Sequence, residues 1–263
     1  MELEKDYYLR FTTNHKQLLR LASDNSLSIH SIDEKNKHDL QFKDAVVFSQ
    51  HTFTEARNGL KEELLAMGTK KGSILLIDYK TKKVRSSLSA HSGSVDCISY
   101  DVQNNLLYST GQDKTIKRWD LAAMQVSSQY KIEKKGMSGP VIVHPFLDEN
   151  HVLYSLQNSI YLLNFATKSV EAKYTSQCTA FTTLSTLTGS KTFLAFAKNE
   201  SICLFMNDSD IALANIDVST LKLQYVEYFK RTKGRFVILG HNASNIHLWY
   251  VHINKGTATI EAK

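Results

Sequence analysis

Residues 91–121 read HSGSVDCISYDVQNNLLYSTGQDKTIKRWDL and place His91, Ser109 and Asp113 within 23 residues of one another. Those three residue types raise the question of a hydrolytic triad. A nucleophilic serine needs an exposed hydroxyl on a strained turn beside pre-placed oxyanion donors, as in a G-x-S-x-G elbow. Ser109 instead sits in the middle of LLYSTG, a strand-like run. After the tight turn GQDKT, the segment IKRWDL alternates apolar and polar side chains as a half-buried strand does. The stretch therefore reads as two strands of a hairpin with polar side chains inside it, and not as a catalytic elbow.

The same pattern recurs along the chain. LSIHSI, ILLIDY, IKRWDL, IYLLNF, ICLFMN and IHLWYV begin at Leu27, Ile74, Ile116, Ile160, Ile202 and Ile246, with steps of 47, 42, 44, 42 and 44 residues. Each is preceded, across a short polar turn, by another β-prone run (QLLRLAS, LLAMGT, LLYSTG, VLYSLQ, TFLAFAK, FVILGH), and turns of this composition make hairpins. A third run lies upstream of each pair and a weaker fourth one downstream. The repeat is thus a four-stranded antiparallel meander, with strands a, b, c and d, spanning residues 6–42, 43–89, 90–133, 134–176, 177–217 and 218–263. The polar segment TEARNGLKEELL reads as an insertion in the a-b loop of the second repeat, which accounts for the 47-residue step. A sheet of this size cannot bury both faces alone, and stacking such sheets around an axis does so. The expectation is an all-β chain, one β-propeller over residues 1–263 with six recognisable blades, either a six-bladed ring or an incomplete seven-bladed one.

Composition narrows the function. No apolar run approaches the ~18 residues a membrane-spanning helix needs, and MELEKDYYLRF has no apolar stretch of the secretory kind. The three cysteines, Cys97, Cys178 and Cys203, have no CxxC spacing and lie among β-prone neighbours, as free thiols in a reducing compartment do. No H-x-E, H-E-x-x-H, glycine-rich phosphate loop or paired-carboxylate motif is present, so neither a cofactor, a metal nor a small-molecule substrate is expected.

Repeat three resembles the WD-repeat propellers in its His before strand a, Ser in strand b, Asp in the b-c turn and Trp-Asp closing strand c. The resemblance implies a structural tetrad of His91, Ser109, Asp113 and Trp119, in which buried polar groups satisfy one another and fasten the blade. Elsewhere the Trp position holds His30, Ile77, Leu163, Phe205 and Trp249. His30 there reads as an amphipathic packing residue and not as a metal ligand.

Blades two and three, with the MGTKKGSILLID hairpin and Gly72 at its turn, are similar to the propeller of the WD-repeat subunits of the A subcomplex of the small-subunit processome. That likeness implies a non-catalytic scaffold in the nucleolus, bound to other subunits of a large complex and to precursor ribosomal RNA. The formal net charge is +6. Sorted by loop, the excess falls on the a-b/c-d rim, where Lys80, Lys82, Lys83, Lys168, Lys230, Arg231, Lys233 and Arg235 form a candidate basic rim for phosphates. The alternative is a cytoplasmic adaptor, a ubiquitin-ligase substrate receptor or trafficking scaffold, holding a peptide on the opposite rim.

Overall fold

A computed structural model describes residues 7–11, 17–22, 26–31, 37–42, 46–57, 60–78, 81–101, 104–133, 139–146, 148–157, 159–174, 180–185, 191–197, 201–206, 214–221, 225–232, 235–241, 245–254 and 257–262. Among them every regular element is a strand. The first sheet holds β1 (Tyr7–Phe11), β2 (Gln17–Ala22), β3 (Ser26–Ser31) and β4 (Lys37–Gln41); the second holds β5 (Val46–Arg57), β6 (Leu60–Thr69), β7 (Ser73–Asp78) and β8 (Val84–Ser89). The third is β9 (Val95–Asp101), β10 (Leu106–Gly111), β11 (Thr115–Asp120) and β12 (Gln125–Lys131). The fourth is β13 (Val143–Phe146), β14 (Asp148–Leu156), β15 (Ser159–Asn164) and β16 (Ser169–Tyr174). The fifth is β17 (Ala180–Ser185), β18 (Lys191–Ala197), β19 (Ser201–Met206) and β20 (Ala214–Asp217), and the sixth β21 (Tyr225–Thr232), β22 (Arg235–His241), β23 (Ile246–Asn254) and β24 (Thr257–Ala262).

In each sheet the strands neighbour one another in chain order, so every sheet is a meander of blade type. Chain contacts divide the molecule into two compact units, residues 1–145 and 146–263. One expectation is corrected. The insertion TEARNGLKEELL is not a loop: β5 and β6 run on through it as a paired ribbon, with Thr54 opposite Glu63, Glu55 opposite Glu62, Ala56 opposite Lys61 and Arg57 opposite Leu60. Backbone pairing outweighs the low β-propensity of Glu and Lys when a hairpin is already running in register.

The core is built from one repeated seam. Side chains alternate across a strand, so in each c strand the first apolar residue of the repeat (Leu27, Ile74, Ile116, Ile160, Ile202 or Ile246) and the residue two further on share one face, here called front, and the residues one and three further on share the back. The front of the first sheet (Leu27, Ile29, Phe42) packs on the back of the second (Leu65, Met67, Ile77). The front of the second (Leu64, Ala66, Ile74, Leu76, Leu88) packs on the back of the third (Ile98, Tyr100, Leu107, Trp119). In the second unit the front of the fifth (Ile202, Leu204) meets the back of the sixth (Ile238, Trp249, Val251). Each fully buried Leu or Ile contributes about 1.5–3 kcal/mol.

The d strands carry a second repeated device. Between β7 and β8, β11 and β12, and β15 and β16 the register slips by one residue, leaving Arg85, Ser127 and Glu171 as bulges. A bulge at the same place in three edge strands twists the edge away from further strand pairing.

Candidate functional site

The third sheet brings His91, Ser109, Asp113 and Trp119 together. Ser109 and Trp119 lie on the back of adjacent strands, β10 and β11, Asp113 in the turn joining them, and His91 in the link before β9. The imidazole Nδ1 lies 2.9 Å from Asp113 Oδ1 and Nε2 lies 2.8 Å from Ser109 Oγ. The Trp119 indole N–H donates to the same hydroxyl at 2.9 Å. A carboxylate accepts, so Nδ1 carries the proton; Nε2 then accepts from the Ser109 O–H, and each group in the chain is satisfied. Asp113 is gripped further by the Ser92 N–H at 3.1 Å and by the Thr115 N–H and hydroxyl at 3.1 and 2.8 Å.

The order of bonds is that of a Ser-His-Asp triad, yet the serine has no access to a substrate. Ser109 is 0% exposed and its oxygen is capped by the indole N–H. A general-base pair works only on a hydroxyl that can reach an electrophile, so this hydroxyl is not a nucleophile.

Burial pushes the His91 imidazole below its ordinary value of 6.5, against the opposing hydrogen bond and charge of Asp113. Burial would raise the Asp113 carboxyl, but the hydrogen bonds from His91 and Thr115 outweigh it and hold the group below 3.8. The site therefore rests as neutral imidazole beside carboxylate. Because the folded chain takes up the His91 proton less readily than the unfolded one, stability falls as pH drops through 6.5 toward the lower folded value. Asp113 adds a further loss once pH drops below its ordinary 3.8. We expect the urea midpoint to fall between pH 7.5 and 5, and His91→Asn to flatten that dependence while lowering the midpoint at pH 7.5. An unchanged slope in the variant would show that other groups carry it.

Two features of the site were not read from the sequence. Asp120, the second letter of the Trp-Asp pair, caps the following turn by accepting from the Ala122 and Ala123 N–H groups at 2.9 and 3.0 Å. Asp78 and Asn164 do the same at the corresponding turns, and each turn ends on a residue at positive φ: Lys82 (58°), Met124 (54°) and Lys168 (54°). The second is Asp96, whose side chain accepts from the Val141 N–H at 3.2 Å and lies 4.0 Å from Lys114 Nζ. Burial raises its carboxyl above 3.8. Lys114 in turn donates to the Gly139 carbonyl at 2.7 Å, and Lys117 donates to the carbonyl of Ala90.

Of the candidate basic rim, Lys82 and Lys83 share the c-d turn of the second sheet, in the first unit. In the second unit, Lys168 ends the corresponding turn of the fourth sheet and Arg235 opens β22, both exposed. Lys230 and Arg231 lie in β21. Lys80 and Lys233 fall outside the described residues. His30 lies on the back of β3, opposite Leu18 and Lys37.

Residues 82–120 match the WD40 family, described as WD domain, G-beta repeat. The match covers the d strand of the second sheet and the third sheet through Asp120, so this part of the chain is similar to a WD repeat. The chain is 30% identical to human WD repeat-containing protein 43 over 124 residues, which cover 46% of this chain and 18% of the relative. It is 24% identical to the PAN2-PAN3 deadenylation complex catalytic subunit PAN2 of Kluyveromyces lactis over 245 residues, 83% of this chain and 20% of the relative. It is 22% identical to the p21-activated protein kinase-interacting protein 1-like of Gallus gallus over 243 residues, 92% of this chain and 62% of the relative. The chain spans about a fifth of the length of the first two. The matched stretch and the blade-type meanders share the repeated four-stranded unit of WD-repeat proteins.

Proposed function

We propose that the chain is a non-catalytic scaffold subunit of a nucleolar assembly that processes precursor ribosomal RNA for the small ribosomal subunit. The observation that carries the scaffold part is the closed hydrogen-bond chain of His91, Ser109, Asp113 and Trp119, which uses its polar groups to hold two strands and a turn. The likeness of blades two and three to the processome propellers supports the nucleolar part. The cationic turns support contact with RNA: Lys83, Lys168 and Arg235 are exposed, and lysines there meet phosphates without reading bases.

Affinity purification of the tagged chain from its own cells, with and without nuclease, tests the reading. Ribosome-assembly factors recovered together with precursor ribosomal RNA support it; ligase or coat subunits without RNA leave the peptide adaptor in its place. RNA retention is expected to fall with salt. Replacing Lys82, Lys83, Lys168 and Arg235 by alanine should flatten the log-log salt dependence by about 0.7 for each single-strand phosphate contact removed. Retention that ignores both salt and these substitutions would sink the RNA contact.

A further inference from the structure

The fourth sheet holds a histidine that faces two carboxylates at once. His151 of β14 stands opposite Asn164 of β15, and Asn164 stands opposite Ser169 at the start of β16. The ring is largely covered, with a side-chain exposure of 16%. Its Nδ1 lies 2.7 Å from Asp148 Oδ1, at the head of β14, and its Nε2 lies 3.1 Å from Glu171 Oε2. Glu171 is the residue that the register slip leaves as the bulge of edge strand β16. Nε2 also lies 3.2 Å from Asn164 Nδ2, and that amide nitrogen is 2.7 Å from Glu171 Oε1.

Turn chemistry fixes which way Asn164 points. Its Oδ1 accepts from the Ala166 and Thr167 N–H groups at 2.9 and 3.2 Å, so its amide N–H groups are turned toward His151 and Glu171. A carboxylate only accepts, so Nδ1 keeps its proton toward Asp148. Burial would raise the Asp148 carboxyl, but hydrogen bonds from His151 and the Asn150 N–H hold it below 3.8, so it is ionised wherever an imidazole titrates. Nε2 has no such fixed role. Protonated, it donates to Glu171, and Asn164 gives its N–H groups to the glutamate alone. Neutral, it accepts from Asn164, and its lone pair then faces the Glu171 oxygen at 3.1 Å, which repels. One ring position thus serves two bonding patterns, and they differ in what holds Glu171. The charged groups beside the ring are Asp148, Glu171 and, two residues earlier on its own strand, the exposed Glu149.

We propose that His151 is a proton-operated latch on the edge of the fourth sheet: charged, it ties the bulge of β16 to β14; neutral, it passes its bond to Asn164 and releases Glu171. Histidine is the side chain that changes charge between about pH 5 and 8, so the latch closes as pH falls through that window. The sense is opposite to that of His91, whose burial costs stability as pH falls. What the latch holds is the bulge that turns this edge away from further strand pairing. It lies wholly within the fourth sheet and is independent of any contact with RNA.

Two measurements on the full chain test the latch. Imidazole nitrogen NMR, with the signal assigned by its loss in His151→Gln, is expected to show both ring nitrogens protonated at pH 5.5 and the Nδ1–H tautomer at pH 8. Hydrogen exchange of the β16 amides, corrected for the intrinsic effect of pH, should show protection about threefold higher at pH 5.5 than at pH 8, within the span of a partly exposed ion pair. His151→Gln keeps a donor but cannot titrate, and should show no such gain. One protonation state at both pH values, or the Nε2–H tautomer at pH 8, would overturn the proposal. So would β16 protection that stays level or falls with acid in the unaltered chain, or a gain that persists in the variant.

Discussion

Trp119→Ala is expected to lower stability by about 3–5 kcal/mol, the range for removing a large aromatic from a packed core. The indole is 2% exposed and lies in the seam between the second and third sheets, among Leu64, Ala66, Ile74 and Leu76 on one side and Tyr100 and Leu107 on the other. Its loss opens a gap there and also strips the Ser109 oxygen of the indole donor. Trp119→Phe separates the two effects: the ring still fills most of the seam, and the cost should drop to about 1–3 kcal/mol, the penalty of leaving a buried polar group short of a partner. Urea unfolding followed by far-ultraviolet circular dichroism measures both, with a lower midpoint and an unchanged slope marking a pure change in stability. A loss under about 1 kcal/mol in the alanine variant would mean that the seam closes over the gap and that the tetrad does not fasten it.

The period of the c strands made the sheets legible before any coordinates, because Leu27, Ile74, Ile116, Ile160 and Ile202 all fill the same buried position. That position holds a branched aliphatic side chain in every repeat, whereas the Trp position varies and holds His30, Ile77 or Leu163. The same repeat concealed the exception. Ile246 looks like its five counterparts in sequence, and only the fold shows its side chain in water. The long β5–β6 ribbon was misread because Glu55, Arg57, Lys61, Glu62 and Glu63 erase the apolar alternation by which a strand is recognised. The relation of His91 to Ser109 and Asp113 could be drawn from spacing and likeness. The turn capping by Asp78, Asp120 and Asn164 could not, since an acidic or amide residue at the end of a strand has no pattern to set it apart from a solvated one.

Gly72→Ala should be costlier than a turn glycine normally is, by more than about 3 kcal/mol, and the reason is the backbone around His91. Gly72 has φ +88°, and a Cβ there would stand 2.0 Å from the His91 carbonyl oxygen and 2.5 Å from that of Gly93. Neither atom is the movable end of a side chain. The Gly72 carbonyl meanwhile accepts from the Ala90 and His91 N–H groups at 3.0 and 2.8 Å. The hairpin of the second sheet therefore grips the link that carries His91 into the third, and an added methyl group pushes that link away from Ser109 and Asp113. Gly139→Ala supplies the control. It too has positive φ, +83°, but nothing lies within 4 Å of the added carbon. It should show only the conformational cost of a non-glycine residue there, about 1–2 kcal/mol. The difference between the two midpoints isolates the contact with the His91 backbone. Gly72→Ala should also weaken the acid dependence of stability assigned to His91, since an imidazole displaced toward water regains its ordinary affinity for protons. Equal losses in the two variants would break the proposed link between the second-sheet turn and the tetrad.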